Sequence, residues 1–372
     1  MEQNSPFLQE LQVTSFKNCL SAKLSFSDRF NCLIGDNGAG KTSLLDAIYY
    51  LCLGKDAFNS TDQQNIKTTE QYFRVEGKFI IGDRATDVAV ACAKGARKVI
   101  MADMIVYTKA SQHVGKFPVV VIGPDDHELI SSGGEARRRW LDQTLSQTDA
   151  FYLDDLVQYA KVLAQRNAFL RQDKQFADDA DLLSVFDKQL DDYGSRIFER
   201  RKIALAKIVP FINRFYAAIS GDKEKVTVSY TSQLFDDSLL NLLKTNKFKD
   251  QAIQHTSCGI HRDDIEFELS GMSARKFGSQ GQIKSLVCAI KLAQFTFTVD
   301  IVQKKAILLL DDIFDKLDEK RVHSLLNLLS GAEFGQVFIT DAHKHRLQVL
   351  FADLKLTSKF FIVENGNVND PF

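Results

Sequence analysis

At 372 residues the chain exceeds what one ordinary hydrophobic core organises, so its length predicts one large α/β unit and a second lobe. A hydrophobic share of 45% and a mean hydropathy of -0.16 argue against disorder, the longest apolar runs fall far short of a membrane span, and the start MEQNSPFLQELQ lacks the basic and then apolar pattern of an export signal. Lys and Arg total 47 against 48 Asp and Glu, a formal net charge of -1, which excludes whole-molecule attraction to a polyanion and leaves any such task to a local basic surface.

Short strands are predicted near Leu11 to Phe16, Ala22 to Phe26 and Arg29 to Ile34, and the third runs straight into GDNGAGKTSLLDAIYYL. Gly35, Gly40, Lys41 and Thr42 fill every fixed position of G-x-x-x-x-G-K-[ST], in the strand, loop and helix order that the motif needs. Across Gly35, Asp36, Asn37, Gly38, Ala39 and Gly40 the backbone N–H groups can cradle phosphate, with Gly38 and Gly40 free to take positive φ. Lys41 would reach the β- and γ-phosphates and Thr42 would offer its hydroxyl to Mg²⁺, so the loop predicts bound ATP.

Strand-like runs follow at Tyr72 to Ile81, Asp87 to Ala93 and Pro118 to Ile122, predicting an antiparallel β flank. From about Gly134 to Ser220 the pattern is helical, with Pro210 as a break and Gly221 as a stop, a short inserted arm rather than a long coiled coil. Its basic clusters, Arg137 to Arg139, Lys161 with Arg166, and Arg200 to Lys202, are either a surface for nucleic acid or solvated helix faces with i,i+4 partners.

After about His255 strands and helices alternate again. In RKFGSQGQIKSLVCAIKLAQF, Ser279 is a plausible N-cap, and with Gln280 and Gly281 it opens a second helix start able to hold an anion. In KKAILLLDDIFDKLDEKR a buried strand ends in Asp311 and Asp312, one to hold the Mg²⁺ shell and the other to orient or deprotonate water. Asp312 and Lys41 are the expected catalytic pair, and Thr42 and Asp311 the expected metal ligands. Beyond the strand QVFIT, either Asp341 or His343 could approach a γ-phosphate. The expected domains are a discontinuous ATPase domain, 1–130 and 255–372, around an inserted helical lobe, 131–254. Six cysteines (Cys19, Cys32, Cys52, Cys92, Cys258, Cys288) contain no C-x-x-C pair and read as buried reduced thiols.

The order of Walker A loop, serine-glycine signature, double-acid Walker B strand and KLD (Lys316 to Asp318) resembles the ABC-type ATPase heads of the SMC-like superfamily. Within it, LQVTSFKNCLSAKLSFSDRFNCLIGDNGAGKTSLLDAIYYL, then RRRWLD and QRNAFL, then GIHRDDIEFELSGMSARKFGSQGQ resemble the RecF family of recombination-repair ATPases, in that family's order. The resemblance implies a P-loop ABC-type ATPase head with an antiparallel β flank and an inserted helical lobe. It also implies a weak DNA-linked ATPase that dimerises on ATP, with Ser279, Gln280 and Gly281 capping the partner's nucleotide and Asp318 among the nucleotide-binding residues.

Further implied are a cytoplasmic location, roles in replication, repair, recombination and the SOS response, and no membrane partner. The expected partners are gapped, junction or duplex DNA through Arg137, Arg138, Arg139 and Arg166, mediators of RecR and RecO type, and a RecA-type recombinase. The chain departs from the family pattern at Lys284, where an arginine is usual, at Lys316, where a glutamate is usual, and at Ile260, where a proline is usual. A transporter nucleotide-binding subunit and an SMC-like tether are the alternatives, set back respectively by RRRWLD and by the short arm without a C-x-x-C hook. A small-molecule P-loop kinase would have no use for the Ser279 motif.

Overall fold

In the computed structural model, which describes residues 5–57, 61–171, 180–221, 224–314 and 318–369, the chain opens with β1 (Pro6–Phe16), β2 (Cys19–Ser25) and β3 (Phe30–Ile34). Helix α1 (Lys41–Leu53) follows, then β4 (Tyr72–Ile81), β5 (Arg84–Ala93), β6 (Val99–Ala102), β7 (Ile105–Val106) and β8 (Val119–Ile122). Next come α2 (Glu128–Ser131), α3 (Gly134–Thr148), α4 (Ala150–Leu170), α5 (Ala180–Ser220), β9 (Val226–Thr231), α6 (Leu239–Thr245) and α7 (Lys247–Ile253). The last part holds β10 (Asp264–Leu269), β11 (Met272–Ser273), α8 (Ala274–Phe277), α9 (Gln280–Val302), β12 (Ile307–Leu310), α10 (Glu319–Leu329), β13 (Val337–Asp341), α11 (Lys344–Asp353), β14 (Ser358–Glu364) and β15 (Asn367–Asn369).

The chain divides into two units, one of Met1–His127, Arg214–Lys223 and Ser279–Phe372, the other of Glu128–Asn213 and Glu224–Gly278. The first unit holds an antiparallel sheet in the order β2-β1-β4-β5-β6-β7 and a mostly parallel sheet in the order β15-β14-β3-β13-β12-β8. β4 alternates buried and less buried residues, the mark of a one-faced sheet, whereas β3 and β12 are buried at every position, as strands covered on both faces must be. Every residue of α1 except Thr42 is buried, because the helix packs on β1, β4 and β5 of one sheet and on β8 and β13 of the other. Register puts Asp341 beside Ile34 and Leu310 beside Ile339, so the loops after β3, β12 and β13 emerge at one carboxyl edge, where open α/β sheets bind ligands.

Three expectations change. The run 118–122 does not join the antiparallel flank; β8 pairs parallel with β12, and a short valine run carries no signal that tells the two kinds of sheet apart. The second boundary falls at 278/279 instead of 255, because β10 pairs antiparallel with β9 from Asp264↔Thr231 to Leu269↔Val226 and keeps 255–278 in the second unit. Pro210 does not break the helix: α5 runs through it and ends at Gly221, whose φ of 78 closes the last turn by donating N–H to the Ala217 carbonyl.

By length and composition alone α5 and α9 could each cross a membrane, although no uninterrupted apolar run suggests it. Most of α9's apolar window is buried inside the protein, and α5 buries Leu190, Ile197, Ile208 and Ile212 while Glu199, Lys202 and Lys207 face solvent.

Candidate nucleotide site

The loop between β3 and α1 is shaped by its glycines. A Cβ on Gly35 would stand 2.2 Å from the Val363 carbonyl oxygen, and Gly40 has a φ of 113 that side chains rarely adopt. Gly35 donates its N–H to the Asp341 carbonyl (3.3 Å), the Ala39 N–H closes on the Asp36 carbonyl (3.1 Å), and Gly366 N–H binds the Ala39 carbonyl (2.8 Å). Asp36, Asn37 and Gly38 form the exposed rim. Lys41 is buried and arches back over the loop, donating Nζ to the carbonyls of Gly35 (2.7 Å) and Asp36 (3.1 Å).

From the other end of the chain, Asp311 meets this loop. Thr42 Oγ1 donates to Asp311 Oδ1 at 3.1 Å, and Thr340 Oγ1 donates to the same oxygen at 2.8 Å. Burial pushes the Asp311 carboxyl above the usual carboxylate range, opposed by these two hydroxyls and by Lys41. Asp312 has left-handed backbone (φ 53), an uncommon state for a side-chain-bearing residue, and is fixed there by its N–H bond to Thr340 Oγ1 (2.9 Å). Thr340 is thus the hydroxyl between both acids. Sequence reading passed over it, because its role depends on β13 lying beside β12.

Of the two residues after that strand, Asp341 is buried and accepts the His343 N–H at 2.7 Å, whereas His343 is exposed at the start of α11. Behind the loop, Lys17 bridges Asp46 (2.6 Å) and Asp56 (2.8 Å), and Asn18 Nδ2 donates to the Gly38 carbonyl (3.3 Å). Burial first, then the bond to Asp56, push the Asp46 carboxyl up to about 7. This brace was also missed; Lys17 in the β1–β2 turn is its only sequence cue.

Ser279 is the N-cap it was expected to be, in a full capping box: Gln282 N–H donates to Ser279 Oγ (3.3 Å) and Ser279 N–H to Gln282 Oε1 (2.7 Å). Ser279 and Gln280 are exposed. Asp318 caps α10 by accepting the Arg321 N–H (2.9 Å), while Lys316 lies outside the described residues.

In the second unit the arginines chosen for DNA are mostly spoken for. Arg166 is fully buried and pairs with Asp187 (2.7 Å) and Asp250 (2.8 Å), so it is an internal ion pair and no DNA surface. Arg137 is 5% exposed and holds Asp264 with two bonds, Nε to Oδ1 (2.7 Å) and Nη2 to Oδ2 (2.9 Å). Arg138 donates to the Asp263 carbonyl, and Arg139 pairs with Glu135 one turn back. Arg201 is likewise buried between Asp142 and Asp263. One arginine of each sequence cluster, Arg137, Arg166 and Arg201, became a buried ion pair, because a buried guanidinium needs a carboxylate within reach, whereas Arg139, Lys161 and Lys202 stay on exposed faces.

Residues 7–258 match the family model described as an AAA ATPase domain. The DNA replication and repair protein RecF of Flavobacterium johnsoniae is 43% identical over 358 residues, 95% of this chain and 99% of that protein. RecF of Parabacteroides distasonis is 40% identical over 97% of this chain and 98% of its own. Among solved structures, the recombination mediator protein RecF-ATP of the RecFOR pathway superposes with a TM-score of 0.90 at 30% identity, covering 100% of this chain and 99% of that one. An Smc head domain from Pyrococcus furiosus shares the fold, with a TM-score of 0.57 at 15% identity over 98% and 95% of the two chains. Full-length similarity and a complete P-loop with its paired acids lead to one conclusion: the chain belongs to the RecF family of ATPases that serve DNA replication and repair.

Proposed function

We propose that this chain is an ATP-dependent DNA-binding ATPase that dimerises on ATP and assists recombinase loading at gapped or stalled DNA. The observation that carries the reading is the hydrogen-bonded line Thr42, Asp311, Thr340, Asp312, which joins the phosphate loop to two carboxylates. The N–H groups of the exposed rim Asp36, Asn37 and Gly38 and of Gly40 receive the phosphates, those of Gly35 and Ala39 being held by the Asp341 and Asp36 carbonyls, and Lys41 exchanges its loop carbonyls for the β- and γ-phosphate oxygens. Thr42 and Asp311 are the hydroxyl and carboxylate that suit Mg²⁺, which takes one or two protein oxygens beside substrate phosphates. When bound there, Mg²⁺ supplies charge neutralisation at the transferred phosphoryl group. Asp312 orients the attacking water, and exposed His343 is the group that approaches the γ-phosphate.

Ser279, Gln280 and Gly281 present a helix start to the partner protomer's nucleotide, so that ATP completes an interface that ADP leaves open. DNA, mediators of RecR and RecO type and a RecA-type recombinase are the partners in this reading. It draws support from relatives named for DNA replication and repair and from a similar structure named for ATP and the RecFOR pathway. Six buried free thiols fit a cytoplasmic location.

Lys41→Ala should lose ATP affinity. Asp312→Asn should keep it while turnover falls at least about a hundredfold. In sedimentation Asp312→Asn should be a dimer with ATP and a monomer with ADP. Equal loss of ATP binding in both variants would overturn the division of roles, and a nucleotide-independent association state would overturn the dimer.

A further inference from the structure

Arg321, on the first turn of α10, reaches across to the start of α9. Its Nη1 donates to the Gly281 carbonyl (2.6 Å) and to Ser285 Oγ (3.0 Å), and Ser285 Oγ itself donates to the Gly281 carbonyl (2.9 Å). Its Nε lies 3.2 Å from Asp318 Oδ2, and its own N–H caps on Asp318 Oδ1 (2.9 Å). The approach is close: a Cβ on Gly281 would stand 2.8 Å from Nη1, so glycine at 281 leaves the space that the guanidinium needs. Ser285 is buried while Ser279 and Gln280 are exposed, so the guanidinium is fastened to the inner side of the loop whose outer side is free.

The geometry points to Arg321 as a positioning residue: it holds the Ser279–Gly281 loop in the shape that meets the partner's γ-phosphate, and ties that loop to the Asp318 turn after the Walker B acids. The inference rests on the proposed trans role of Ser279. Its physical basis is that a guanidinium is a rigid fork with five donors, able to satisfy a carbonyl, a hydroxyl and a carboxylate together. A lysine at 321 has one nitrogen on a flexible stem and cannot meet all three. Because α10 follows the paired acids in the chain, one side chain links the surface that reads the partner's nucleotide to the segment carrying the protomer's own Asp312.

The test uses the full chain and its Arg321→Ala and Arg321→Lys variants. Amide hydrogen exchange without nucleotide should show residues 279–285 losing protection about tenfold or more in Arg321→Ala, the loss of one charge-assisted hydrogen bond, with the rest of α9 unchanged. With ATP, the dimer dissociation constant of Arg321→Ala should rise by about tenfold or more while ATP affinity of the dilute monomer stays the same, and Arg321→Lys should fall between. Unchanged exchange at 279–285, or wild-type dimerisation despite faster exchange, would overturn the proposal. Failure of the unsubstituted chain to dimerise on ATP would instead overturn the trans reading beneath it, and that failure shows in the parent protein rather than in the variant.

Discussion

Thr340 is a single hydroxyl on which two acids depend, one as the acceptor of its proton and one through the backbone N–H it receives. Thr340→Val keeps the shape and removes both bonds, so turnover should drop by about 10- to 100-fold, the kinetic equivalent of one hydrogen bond to a charged group, with ATP affinity retained. Steady-state hydrolysis beside a binding titration decides it; an unchanged kcat would remove Thr340 from the mechanism. In the second unit, His261 Nε2 donates to the Thr256 carbonyl (3.2 Å), so in the neutral ring Nδ1 accepts from the Tyr159 hydroxyl (2.9 Å). Burial, helped by Arg262 and Arg138, pulls its pKa down to about 4. The folded state thus refuses a proton that the unfolded chain binds near pH 6.5, so this histidine's contribution to stability is intact above 6.5 and is lost as pH falls toward 4. NMR titration of the imidazole should show it neutral at pH 5.5; a midpoint near 6.5 would contradict the structure.

At the level of elements, α5 shows a conflict between local preference and tertiary packing. Proline inside a helix leaves the carbonyl four residues back without its usual amide partner, here that of Ala206, and costs up to about 3 kcal/mol. The helix continues because Leu205, Ile208, Ile212 and Phe215 are buried on both sides of Pro210. Pro210→Ala should therefore raise the thermal midpoint, by an amount equivalent to about 1–3 kcal/mol. A lower midpoint in calorimetry would mean that the proline is built into the packing. The same element explains what the sequence hid: Pro210 looks like a stop only to a reader who cannot see the buried stripe around it. The glycine-shaped loop of Gly35 to Thr42 and the N-cap at Ser279 were legible because each is written within a few consecutive residues, while Asp311 stood out as the acid ending a buried strand. Arg137 and Arg166 were not, because Asp264 and Asp250 lie 127 and 84 residues away and nothing local separates a guanidinium seeking phosphate from one already holding a carboxylate.

On the scale of the whole molecule, with Arg137 and Arg166 held in internal pairs, DNA binding falls in our reading to exposed side chains such as Lys161 and Lys202, and the exposed pairing of Lys202 with Glu199 is worth little. Charge reversal of these two should weaken DNA binding uniformly across sequences and lower the slope of log affinity against log salt by about 1 for each phosphate that is no longer neutralised. An unaltered slope would move the DNA surface elsewhere. The fold family was readable from the order of motifs, but the membership of 255–278 was not, since it depends on the pairing of β10 with β9.

β3 sits at the middle of its sheet between β13 and β14, both of which are some 300 residues further along the chain. On a ribosome that order has a cost in time. The Walker A strand is made early, and both of its edges stay unpaired until nearly all of the remaining chain has been synthesised, an interval of roughly 15–60 s at about 5–20 residues per second. An apolar strand thus waits with both edges open, which is the situation that invites chaperone binding. A product released before β12 is made has the phosphate loop but neither Asp311 nor Asp312 and cannot assemble the site. Hydrolysis by this chain, unlike a phosphate loop alone, therefore requires that translation has run past both acids.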